Sequence, residues 1–93
     1  MENGTFSSDL LAAFRALARQ AHRRFGVTIH LLHIVGKRHA YVEGDTQGLP
    51  ALPPHILPLS ARWAVAVYGW ETLSQEERAD LARLAETLPV ERA

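Results

Sequence analysis

Residues 27–35 (VTIHLLHIV), the dipeptide Gly36-Lys37 and the return segment 38–44 (RHAYVEG) constrain this chain more than any other feature. Valine, isoleucine and threonine suit a pleated, half-buried strand, so 27–35 reads as a strand. It is apolar at most positions on both faces. Such a strand is central, and is either covered on both sides or covered on one and used for binding on the other. A glycine at the first central position fits a two-residue type II′ turn, so the two runs predict an antiparallel hairpin. That turn sets Val35 opposite Arg38, Ile34 opposite His39, Leu32 opposite Tyr41 and His30 opposite Glu43. Alternation then puts His30, Leu32, Ile34, His39, Tyr41 and Glu43 on one face. The other face carries Ile29, Leu31, His33, Val35, Arg38, Ala40 and Val42. It is the more apolar, and is expected to pack on helices.

The flanking segments supply those helices. Leu10, Leu11, Phe14, Leu17, Ala18, Ala21 and Phe25 recur at three- and four-residue spacing, which predicts an amphipathic helix over 8–25. Ser8 is its expected N-cap, and Gly26 its stop. Residues 44–54 (GDTQGLPALPP) form a proline-rich loop. Residues 56–59 contain Pro58, which restricts them to an edge strand. In residues 62–70 (RWAVAVYGW), Trp63, Val65 and Val67 alternate with Ala64, Ala66 and Tyr68, again a strand with two apolar faces. Ser74 and Glu77 have capping-box spacing and open a second helix, which runs to about Leu88 and stops before Pro89. The expected fold is α+β: one domain over 1–93, with an antiparallel sheet of about four strands in the order 2-1-4-3. The N- and C-terminal helices pack on one face.

Composition narrows the function. Without cysteine, neither disulfides nor thiolate metal sites are possible, which favours a reducing, cytoplasmic setting. The N-terminal residues lack the pattern of a signal peptide, and no apolar run is long enough to span a bilayer. Formal charge is zero overall, but +4 over residues 1–38 and −3 over 71–93. Arg15, Arg19 and Arg23 form an i, i+4 stripe on the first helix, the feature that suggests nucleic acid. The neutral whole argues against that partner. The simpler account sets the basic first helix near the acidic last one, within the chain or across a dimer.

The mixed sheet face is where a ligand site is expected, formed by His30, His39, Tyr41 and Glu43. The plain alternative is a cross-strand charge pair between His30 and Glu43, worth a few tenths to about 1 kcal/mol. His30 and His33 lie on opposite strand faces and cannot share a metal ion. His33 reads as a buried, hydrogen-bonded histidine. No P-loop, GxSxG or GxGxxG pattern occurs, and the serines fall at caps and turns. No catalytic residue, metal or cofactor is therefore assigned. Trp70, which follows Gly69 at a strand end, is a candidate interface anchor.

In element order and apolar pattern, the chain resembles a pared-down GAF-type domain of the GAF/PAS/profilin-like group. The first helix leading into Gly26-Val27, the hairpin VTIHLLHIVGKRHAYVEG and the stretch HILPLSARWAVAVYGWETLSQEERADLARLAETL carry that resemblance. It implies a sensory or regulatory domain that dimerises through its first and last helices, with Leu10, Phe14, Leu17, Leu84 and Leu88 at the interface beside Trp70. GAF domains place helices and a lid over the ligand-facing side of the sheet, where this chain has a short proline-rich loop, and that departure argues against a deep closed pocket. The expected function is thus a non-enzymatic regulatory or interaction module that forms a homodimer. The alternatives are a small-ligand sensor using the mixed face, a protein partner, or nucleic acid bound by the first helix.

Overall fold

The computed structural model describes residues 8–46, 49 and 51–90. The sequence readings that fall on residues 1–7, 47, 48, 50 and 91–93 lie outside the described residues. Helix α1 spans Ser8–Phe25, and strands β1 to β4 span Thr28–Val35, Arg38–Gly44, His55–Pro58 and Trp63–Tyr68. A single 3₁₀ turn, Trp70–Thr72, leads into helix α2, Gln75–Ala85.

The strands form one antiparallel sheet in the order β2-β1-β4-β3, as the two apolar strands and the proline-containing edge strand led us to expect. β1 and β4 are central because both of their faces must be kept from water. Pro58, which has no amide hydrogen, closes β3 at the edge. The β2–β3 connection runs from one edge of the sheet to the other. It spans three strand spacings, roughly 14 Å, which ten residues cover easily.

α1 buries Leu10, Phe14, Leu17 and Ala21, one stripe at helical spacing. Its last turn is closed by the Gly26 amide, which donates to the His22 carbonyl at 3.0 Å. Ser8, expected as the cap, lies inside the helix. α2 begins with a complete capping box. Ser74 Oγ accepts from the Glu77 amide at 3.1 Å, while Glu77 Oε1 accepts from the Ser74 amide at 2.8 Å. Side chains of both helices, with Ile29, Leu31, Trp63, Val65 and Val67, make one core on a single side of the sheet. Among the described residues, no helix is long and apolar enough to cross a membrane.

The hairpin turn matches its sequence signature. Gly36 has φ of 64°, and no non-glycine residue among those described, Lys37 included, has positive φ, which is the type II′ rather than the type I′ pattern. Val35 pairs with Arg38, Ile34 with His39 and Leu32 with Tyr41, as expected. Beyond Tyr41 the register shifts. A β-bulge between Leu31 and Leu32 sets Leu31 opposite Glu43 and His30 opposite Gly44.

Candidate functional site

The bulge decides which predicted site residues meet. Without it, Glu43 would point away from the helices beside His30. With it, Glu43 turns to the helix side, where its Oε2 accepts from Arg15 Nε at 3.0 Å. The expected His30–Glu43 pair is therefore corrected: Glu43 belongs to the α1 side of the sheet, and Arg15 is its partner. The extra residue lets Val42 pack on the helix-side core as well.

His30, Leu32, Ile34, His39 and Tyr41 remain on the face away from the helices. Ala64, Ala66, Tyr68 and Ile56 from β4 and β3 join them. His30 is only 5% exposed. Its Nε2 lies 2.8 Å from the Asp45 carbonyl oxygen, which can only accept, so Nε2 carries the proton and donates. The Tyr41 ring meets His30 edge-on with centroids 5.2 Å apart, and the Tyr68 ring lies 4.9 Å away. The Tyr41 hydroxyl donates to the Gly44 carbonyl at 2.5 Å. Two of the polar atoms expected to receive a ligand are thus committed to the backbone of the β2 exit. His39 is exposed.

The centre of this face is small and apolar. Ala64 and Ala66 are buried although no helix lies over them, because the taller Leu32, Ile34, Ile56 and Tyr68 close around them. Together with Thr28 and Pro58, which the register sets opposite Tyr68 and Ala64, the described strand residues on this face include no aspartate, glutamate or lysine, and arginine only at the rim, where the exposed Arg62 precedes β4 and its carbonyl accepts from the Ile34 amide at 2.7 Å.

The six expected interface residues lie elsewhere. Leu10, Phe14, Leu17 and Leu88 are buried in the chain's own core, and Leu84 and Trp70 pack against it. Leu10, Phe14, Leu17 and Leu88 therefore offer a partner almost no surface, while Leu84 and Trp70 remain partly exposed. Trp70 is half-buried rather than an exposed anchor. The His55 ring stacks on it at 4.1 Å, and the Arg78 guanidinium lies 5.5 Å from its centroid. His33 is partly buried, with its ring 4.6 Å from that of Trp63, on the opposite face from His30 as the spacing required. Among the described residues, no group of three histidine, aspartate or glutamate side chains is placed to hold a metal ion.

A groove that the sequence did not reveal lies between α1, the start of β1 and the β2 exit. It is built from three chain segments, of which only the arginine stripe was visible in advance. No family model matches this chain, and neither the curated proteins nor the solved structures include a match.

Proposed function

We propose that this chain is a non-catalytic interaction module that self-associates through the sheet face turned away from its helices. The observation that carries the reading is that, among the described residues, formal charge is absent from the centre of that face and Arg62 stands only at its rim. Interfaces are depleted of charged residues at their centres and enriched in tyrosine, which is the composition found here. A two-fold dimer sets a patch against its own copy, so a charge at its centre, near the axis, meets a like charge. A neutral face of Leu32, Ile34, Ile56, Ala64, Ala66 and Tyr68 avoids that repulsion, and a second copy is the occupant it fits. The sensory or regulatory role implied by the GAF resemblance belongs to the same proposal.

Size sets the expected strength. Strands about 4.8 Å apart and six residues long give a face of roughly 400 Å². A standard interface covers about 800 Å² per partner. The dimer should be weak, in exchange with monomer. Sedimentation equilibrium at high micromolar concentration is expected to show dimer for the native chain and monomer for Ile34→Asp, with unchanged far-ultraviolet circular dichroism. A native chain that stays monomeric there would overturn the proposal. A ligand-sensing role for the same face has less support, since His30 Nε2 and the Tyr41 hydroxyl already hold backbone carbonyls.

A further inference from the structure

The groove beside α1 has a volume of about 440 Å³, within the range of small-molecule sites. Ala18 forms its apolar wall, and Val27 and Ile29, whose side chains the core already covers, close its floor. Arg19, His22 and Arg23 line its helix side, and Asp45 lies at the β2 exit. Two guanidinium groups thus converge on an apolar cleft that holds one acid among the described residues.

The charge on the rim is uncompensated within the fold. Arginines at i and i+4 on a helix repel one another by a few tenths of a kcal/mol. Arg15 is relieved by Glu43, but Arg19 and Arg23 have no ion-pair partner among the described residues. The helix dipole accounts for cations in the last turn of α1 and fades beyond it, so it explains Arg23 and leaves Arg19 unexplained. On α2, Asp80 is paired with Arg83 of the same helix.

We propose that this groove binds a small organic anion with an apolar body: a carboxylate held by Arg19 and Arg23 and a hydrocarbon portion laid in the cleft beside Ala18. Guanidinium groups recognise carboxylates through paired hydrogen bonds. The cleft supplies what a bare surface cation lacks, namely apolar area for the rest of the ligand to bury.

Decanoate tests this directly against the full chain, with decanol and decyltrimethylammonium as uncharged and cationic controls. Amide chemical shifts followed by NMR are expected to show saturable decanoate binding centred on Val27, Thr28, Ile29 and Asp45. Decanol should bind at least tenfold more weakly, and the ammonium compound should not bind there. Arg19→Gln with Arg23→Gln, both exposed positions, should weaken decanoate at least tenfold. Ala18→Leu, which fills the cleft and retains a good helix former, should abolish it. Equal binding of decanol, decanoate binding that survives the double arginine replacement, shifts centred on the Ile34–Ala64 sheet face, or no saturation at millimolar decanoate would each overturn the proposal. Sheet-face dimerisation is read separately by Ile34→Asp, so either idea can fail alone.

Discussion

Gly44 and His30 show how a single missing side chain sets the end of the sheet. Gly44 ends β2 with φ of 146°, where side chains are rarely accommodated. A Cβ there would overlap His30 Cδ2 and lie 2.8 Å from the Ile29 carbonyl oxygen. The close approach lets the backbone pass over the imidazole, so that Nε2 reaches the Asp45 carbonyl and Tyr41 reaches the Gly44 carbonyl. Gly44→Ala should therefore combine backbone strain with overpacking and cost about 2–3 kcal/mol in urea unfolding. Gly36→Ala is the control. Its φ is also positive, at 64°, but nothing lies within 4 Å of the added carbon, so only about 1 kcal/mol is expected. Equal losses for the two would show that the His30 contact contributes nothing.

At the scale of elements, the signals that proved legible are local. The Ser74–Glu77 capping box and the Gly36-Lys37 turn each depend on residues within a few positions, and both occur where their spacing placed them. Replacing Ser74 by alanine should remove one half of the box and cost about 1 kcal/mol, read as a lower thermal midpoint. An unchanged midpoint would mean that core packing of Leu81 and Ala85 holds α2 in place without the cap. The bulge in β2 was not legible. Its cause is tertiary: Glu43 turns to meet Arg15, 28 residues earlier, and Val42 turns into the helix-side core. A one-position shift moves a side chain to the opposite face, so one bulge was enough to dismantle the expected His30–Glu43 pair while leaving Ile34–His39 and Leu32–Tyr41 intact. The apolar stripe of α1 lies where its spacing placed it, packed on the sheet. Periodicity shows that Phe14 and Leu17 are buried, and cannot show whether the chain's own sheet or another molecule buries them. The groove eluded sequence reading for a related reason, since residues 18–23, 27–29 and 45 become neighbours only in the folded sheet.

For the whole molecule, the lack of formal charge at the centre of the sheet face turned away from the helices, among the described residues, makes the two routes to a dimer distinguishable. The basic first two-fifths and acidic last quarter of the sequence suggest helices meeting across a dimer through opposite charges. Attraction of that kind between exposed groups is screened when the Debye length shrinks from about 10 Å at 0.1 M salt to about 3 Å at 1 M. Contact between two neutral faces responds in the opposite sense, because kosmotropic salts strengthen apolar burial. The dimer fraction measured by sedimentation is therefore expected to hold steady as sodium chloride rises from 0.1 to about 1 M, and to increase in ammonium sulfate. Arg19→Gln with Arg23→Gln should leave it unaltered, while Ile34→Asp should abolish it at every salt concentration. A dimer that dissolves in sodium chloride and weakens with the arginine replacements would return the interface to the helices. The proposed self-association would then require surface that the α1 and α2 core residues do not offer, since Phe14 and Leu81 are already covered within one chain.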